Sequence, residues 1–151
     1  QLFLTLALAG SPPPATIEKA REAVRRWAAG RRLPMPELVI ENGSGLSRSE
    51  RISAGNLAAL LRAAWASPAM PDLVSSLSLF AVDGTFRLKN GAAAGQAHLK
   101  GGTRTGVQGV AGFVHAGGGE RRLVVMLVNH ENANRAQPAL DALVEWALRN
   151  R

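Results

Sequence analysis

A lysine, two glycines and a threonine stand in a row between two apolar runs, as Lys100, Gly101, Gly102 and Thr103. The glycines carry no side chain, so the backbone of a bound peptide can lie close against a strand here. The lysine adds a fixed positive charge beside that place. Extended peptides bind by adding a strand to an open sheet edge. The segment therefore predicts a strand edge that holds the anionic end of a peptide.

Composition narrows the classes of function. The absence of cysteine excludes a disulfide framework, a thiolate nucleophile and a cysteine-based zinc site. The histidines at 98, 115 and 130 lack metal-ligand spacing, so we expect no metal and no cofactor. A net charge of +7 suits an anionic partner such as nucleic acid, anionic lipid or cell-wall polymer, or serves solubility alone. Aromatic residues make up only 5% and tyrosine is absent, so base stacking has little support and nucleic acid is not expected.

The helical elements follow from apolar spacing. A length of 151 residues suits one domain with a sizeable core. Apolar residues at helical spacing predict helices over 17–30, from Ser53 to Ser67, over 70–79 and from Pro138 onward. The apolar segment 2–9 is too short to span a bilayer. We expect it to be a buried helix entered midway, which indicates a piece of a longer protein.

Three consecutive strands precede the last helix. They are predicted over 96–100, 107–115 and 122–129, with a hairpin loop at 117–119. Residues 122–129 are apolar on both faces, which predicts a central strand covered on both sides. Helices, then neighbouring strands, then a helix favour an α+β fold, in which helices flank an antiparallel sheet.

Two motifs in the same order resemble those of one family. Residues 41–48 (ENGSGLSR) resemble the aspartate-glycine-serine-glycine-leucine-serine-arginine signature of the D-alanyl-D-alanine carboxypeptidase/endopeptidases, the class C low-molecular-mass penicillin-binding proteins. Asn42 stands where that signature has aspartate. Lys100 to Thr103 resembles the family's third active-site motif, lysine-threonine-glycine followed by serine or threonine, with Gly101 as the departure. Residues 80–85 resemble a turn found between the motifs, and the likeness covers most of the chain.

The resemblance implies a penicillin-binding, β-lactamase-like transpeptidase fold and a serine-type peptidase. Such an enzyme cuts peptidoglycan stem peptides through an acyl-serine intermediate, binds β-lactam antibiotics, and works in the periplasm of the bacterial envelope. This chain holds neither the Ser-x-x-Lys nor the Ser-x-Asn motif of the family. It is therefore expected to be the C-terminal portion of the peptidase domain, with the N-terminal remainder as its partner.

The family's roles carry over to matching positions. Lys100 would hold the serine of the second motif and add positive potential. The Thr103 hydroxyl would bind the substrate's C-terminal carboxylate, and its N–H would help to form the oxyanion hole. Gly102 and Thr105 would also line the substrate site, and so would Gly101, although it offers no hydroxyl. Restoring threonine at position 101 is expected to strengthen carboxylate binding.

Some alternatives stay open. Arg48 matches an arginine that lines the pocket for the stem-peptide side chain, but a turn cap explains it equally well. Residues 104–106 look like a shifted copy of the third motif, although that register breaks the alignment of Val107 and of residues 111–113. A non-catalytic module that binds peptidoglycan or a protein is slightly favoured by Gly101. The upstream sequence separates this reading from the enzyme.

Overall fold

The computed structural model describes residues 1–150 and contains helices, strands and short 3-10 turns. The α-helices are α1 (Leu2–Leu6), α2 (Ile17–Gly30), α3 (Ala54–Trp65), α4 (Met70–Ser76) and α5 (Gln137–Arg149). The strands are β1 (Ser78–Leu79), β2 (Ala97–Arg104), β3 (Val107–His115) and β4 (Arg121–Asn129). The chain divides into two compact units, Gln1–Asn56 and the part from Leu57 onward.

The sheet lies in the second unit and is antiparallel throughout, in the order β1-β2-β3-β4. Helix α5 packs on one of its faces. Leu99, Val114 and Val144 are fully buried where helix and sheet meet. Burying a side chain of this size stabilises the folded protein by about 1.5–3 kcal/mol. The predicted α+β architecture is confirmed.

Among residues 1–150, strand β4 lies at an edge of the sheet, which contradicts the prediction of a central strand. It pairs only with β3 among the described residues. Val124, Met126 and Val128 point toward the core beside α5, whereas Leu127 on the other face is 37% exposed. Two apolar faces indicate partial cover on both sides, and they do not report how many strands flank the segment.

The first helix is short and largely exposed, which corrects the predicted buried helix. Leu2 is 86% exposed and Leu6 is 46% exposed, and only Ala7, just after α1, is fully buried. The leucines recur at every second residue. That spacing spreads them around a helix of 3.6 residues per turn instead of gathering them on one face. Among the described residues, no helix has both the length and the hydropathy needed to cross a membrane.

Helices α2 and α3 begin where the sequence predicts. The Thr16 hydroxyl caps α2 by accepting from the N–H of Lys19 (3.2 Å), and the Ser53 hydroxyl accepts from the N–H of Asn56 (3.1 Å) at the start of α3. The predicted helix over 70–79 ends earlier, at Ser76, and residues 78–79 form β1. Before α3, Val39 and Arg51 form an isolated antiparallel bridge.

Candidate active site

The whole lysine-glycine-glycine-threonine motif lies on β2, which runs four residues further than predicted, to Arg104. Hydrogen bonds at the start of β2 show which way its backbone groups point. The N–H of Phe80 donates to the carbonyl of Ala97 (2.8 Å) on the outer side, and the N–H of His115 donates to the carbonyl of Gln96 (2.7 Å) on the β3 side. This direction alternates along an antiparallel strand. Odd-numbered residues of β2 therefore direct their backbone groups outward.

The motif forms an open backbone edge. Pairing with β1 ends at Leu99, and no other strand among residues 57–150 pairs with this side of β2. The N–H and C=O groups of Gly101 and Thr103 consequently face outward without a strand partner. Free groups of this kind can hydrogen bond to an extended peptide. We call residues 100–104 the open edge.

Lys100 brings a positive charge to the open edge. Its side chain is exposed, and its Nζ donates to the carbonyl oxygen of Gly101 at 2.8 Å. This carbonyl is one of the outward-facing groups. The ammonium therefore lies beside the backbone that a bound peptide would contact, and it can exchange the carbonyl for another acceptor.

A cavity of about 310 Å³ lies on the α5 side of the motif. Its wall is formed by residues 101–103 of β2, residues 108–110 of β3, the 3-10 turn after Asp83 and the first two turns of α5. Thr103 and Gln108 stand directly opposite each other across the β2–β3 pairing. Side chains at such opposed positions are within contact distance. The cavity therefore joins the motif to a polar group on the neighbouring strand.

A chain of polar side chains runs along this cavity. Gln108, only 4% exposed, donates from Nε2 to Oε1 of Gln137 (2.5 Å), and Gln137 donates from Nε2 to Oδ1 of Asp141 (2.8 Å). Oδ2 of Asp141 forms an ion pair with Nζ of Lys89 at 2.8 Å. Because an ionised carboxylate only accepts, it sets the direction of both amides. We call these four residues the amide relay.

The relay leaves one polar atom without a partner. The Oε1 atom of Gln108 is buried and accepts no hydrogen bond within the part of the chain that the structure describes.

The amide relay was not predicted from the sequence. Its signals were a glutamine inside an apolar strand and a Gln137–Asp141 spacing of four residues, which places both on one helix face.

Gly101 lies against the aromatic ring of Phe86. A Cβ atom at position 101 would be 3.1 Å from Cζ of Phe86 and 3.8 Å from Oγ1 of Thr85. Phe86 is 6% exposed and packs against Phe80 with ring centroids 5.9 Å apart. The ring cannot easily move away, so the missing side chain at 101 and the large one at 86 fit each other.

Two histidines lie on the sheet face that also carries Lys100. The ring centroids of His98 and His115 are 5.4 Å apart, and Nδ1 of His98 and Nε2 of His115 are buried without a partner in the described part of the chain. Burial lowers the pKa of His115 below its usual value, and the charges of His98 and Arg121 lower it further. The guanidinium of Arg121 also stacks over the Trp65 ring at 5.2 Å.

Arg48 lies in the first unit and is exposed. The turn before it is held by other groups. Asn42 Oδ1 accepts from the N–H of Ser44 (3.0 Å), and the Ser44 hydroxyl accepts from the N–H of Leu46 (3.1 Å). The Arg48 carbonyl accepts from Arg51 (3.0 Å), while its guanidinium makes no hydrogen bond or ion pair among residues 1–150. Its substrate role stays a prediction, and so does that of Thr105, which lies in the β2–β3 turn.

Solved structures share this fold. Penicillin-binding protein 4 (dacB) of Haemophilus influenzae superposes with a TM-score of 0.81 at 19% identity, over 95% of this chain and 36% of that chain. Its complex with a novel β-lactam gives 0.77 at 23% identity, over 85% and 30%. The penicillin G-acylated predatory endopeptidase of Bdellovibrio bacteriovorus, in complex with an immunity protein, gives 0.61 at 16% identity, over 95% and 43%. The chain thus spans roughly a third of the length of the first two.

Sequence comparison identifies the family. Curated protein sequences give no match. Residues 1–150 match the D-Ala-D-Ala carboxypeptidase 3 (S13) family, which covers nearly the whole chain. This agrees with the resemblance carried by residues 41–48 and by the motif on β2. The chain belongs to the D-Ala-D-Ala carboxypeptidase 3 (S13) family.

Proposed function

We propose that this chain is the C-terminal part of a serine-type D-Ala-D-Ala carboxypeptidase or endopeptidase that acts on peptidoglycan stem peptides. The observation that carries the proposal is the open edge, where the ammonium of Lys100 lies 2.8 Å from an outward-facing carbonyl. A stem peptide that ends in a carboxylate is extended and anionic, so it suits a free strand edge beside a positive charge.

The open edge can serve an acyl-transfer reaction. An extended substrate would pair with the backbone of residues 101–103, and its terminal carboxylate would accept from the Thr103 hydroxyl. The Thr103 N–H faces outward and would stabilise the oxyanion that forms during attack. The attacking serine would come from a Ser-x-x-Lys segment outside these residues, because none occurs in the chain. Lys100 would hold the serine of the second motif, as in the family.

Partners and location belong to the same proposal. A β-lactam imitates the acyl-D-Ala-D-Ala end, so it would bind at the same edge and acylate the same serine. The β-lactam complexes of related structures support this assignment. Stem peptides lie in the bacterial cell wall, so the enzyme would work in the periplasm. Arg48 would contact the stem-peptide side chain. No metal or cofactor enters this scheme.

A non-catalytic module that binds peptidoglycan or a protein is the second candidate. Gly101 favours it, since a charge-assisted hydrogen bond to the carboxylate is worth about 1.5–3 kcal/mol and glycine cannot make it. The open edge would then hold a peptide without cutting it.

Labelling with a fluorescent penicillin separates the candidates. We expect the full-length protein to retain the label after denaturation, and residues 1–151 alone to take up none, because covalent catalysis needs the nucleophile. Lys100→Ala should slow labelling at least ten-fold, whereas Arg149→Ala, which removes an exposed positive charge at the end of α5, should not. A full-length protein that never acylates would establish the binding module. Label on residues 1–151 alone would refute the assignment of the nucleophile to another segment.

A further inference from the structure

We propose that Thr85 supplies the hydroxyl that the motif lacks at Gly101, so that Thr85 and Thr103 together bind the terminal carboxylate of the substrate. This inference rests on the proposed function and adds a specificity-determining residue from outside the motif.

The first argument is the position of the Thr85 hydroxyl relative to residue 101. Oγ1 of Thr85 lies 3.8 Å from the place where a Cβ at position 101 would be. A threonine hydroxyl at 101 would lie one bond beyond that Cβ. The Thr85 hydroxyl therefore occupies the neighbourhood from which the usual motif would donate. Gly101, Thr103 and Thr85 line the same cavity.

The Thr85 hydroxyl is available and well placed. Thr85 is exposed, and its Oγ1 makes no hydrogen bond among residues 1–150. Its backbone is held on both sides. The next residue, Phe86, is buried in the core, and Oδ1 of Asp83 accepts from the N–H of Leu79 at 2.7 Å. A donor held in this way loses little conformational entropy on binding.

The surrounding charges select a carboxylate. Lys100 brings a positive charge to the open edge from the opposite face of the sheet, and the threonine hydroxyls and outward N–H groups are donors. The carboxylate of Asp141, which lines the cavity, is already neutralised by Lys89 at 2.8 Å. A group with negative charge therefore meets donors and a cation, whereas an uncharged amide end would gain much less.

The size of Phe86 explains why the hydroxyl comes from the neighbouring turn. The ring stands 3.1 Å from a Cβ at 101, so a threonine there would crowd it. Glycine at 101 leaves the cavity open between Thr85 and Thr103. The carboxylate can then lie across Gly101 and contact both hydroxyls.

Carboxylate dependence tests the proposal in the full-length protein. Acylation rates by a penicillin and by its methyl ester are measured by mass spectrometry for wild type, Thr85→Val and Thr85→Ser. Thr5→Val serves as the control, because Thr5 is an exposed threonine outside the cavity. Thr85→Val should lower the rate with the free acid about ten-fold or more and leave the ester rate within about two-fold. Thr85→Ser should keep the preference for the acid, and so should the control.

Outcomes separate this inference from the proposed function. Equal preference for the acid in wild type and Thr85→Val would overturn the role of Thr85 while the enzyme assignment stands. A fall in both rates, with Thr85→Ser equally impaired, would show a structural effect and also overturn it. If the wild type is not acylated at all, the proposed function fails. Binding of the D-Ala-D-Ala dipeptide against its C-terminal amide, followed by NMR, then decides the role of Thr85, since binding needs no nucleophile.

Discussion

The ring of Phe86 stands tightly against the place of a side chain at position 101, with Cζ 3.1 Å from an ideal Cβ. The motif's departure from threonine is therefore matched by a residue 15 positions earlier in the chain. The contact also bears on the expectation that threonine at 101 would strengthen carboxylate binding, because such a change must first displace a buried ring.

We predict that Gly101→Thr destabilises the protein by about 1–3 kcal/mol, since overpacking a core contact costs about that much. Adding Phe86→Leu should recover part of the loss, giving a coupling of about 0.5 kcal/mol or more. Urea denaturation of the wild type, both single variants and the double variant measures it. Strictly additive effects would contradict the packing of residue 101 against the ring.

The backbone of β3 comes very close to β2 at Gly112. Gly112 has a φ of +151°, and a Cβ there would be 3.0 Å from Cα of Leu99 and would overlap the carbonyl oxygen of His98. We therefore expect Gly112→Ala to cost about 3 kcal/mol or more, or to prevent folding. Gly117→Ala, in the hairpin loop, meets open space and should change the free energy of unfolding by less than about 0.5 kcal/mol. Equal stability of both variants would refute the close approach.

The amide relay should respond differently to single and paired changes. Gln137→Leu removes the acceptor of the buried Gln108 amide and is expected to cost about 1–3 kcal/mol. Combining it with Gln108→Leu replaces both partners by apolar groups and should recover much of that loss. Asn134→Ala, at an exposed position just before α5, is the control. Chemical denaturation measures the wild type, both single variants, the double variant and the control. A double variant with the summed loss would show that the relay does not act as a unit.

Acid should weaken the fold through His115. Its pKa in the folded protein is lowered below the ordinary value of 6.5, so the unfolded chain takes up the proton first. The stabilisation that comes from neutral His115 is complete above pH 6.5. It is lost as the pH falls below 6.5, and the loss ends once the pH is below the lowered pKa of the folded protein. His115→Gln should reduce the loss between about pH 7.5 and pH 5. Urea midpoints at both pH values measure it, and His130→Gln should retain the wild-type loss. An unchanged pH dependence in His115→Gln would contradict the prediction.

Local sequence predicted the elements but not their neighbours. Ser53 marks a helix start through a hydrogen bond to the residue three positions ahead, and the strands follow from alternation. The place of β4 at the sheet edge depends on which strand pairs with it, which no residue in 122–129 encodes. The contact of Phe86 with position 101 and the meeting of Gln108 with Gln137 join distant segments. The motif could be placed on a strand, but its cavity could not be predicted, because its walls come from such long-range contacts.

The open edge of β2 also carries a hazard. Unpaired backbone N–H and C=O groups can hydrogen bond to any extended backbone, whatever its side chains. A second copy of the same strand would therefore fit as readily as a peptide. Lys100 and Arg104 lie at this edge, and two copies aligned there would bring cations together. Like charges that face each other disfavour such pairing, whereas a partner that ends in a negative charge meets no such repulsion.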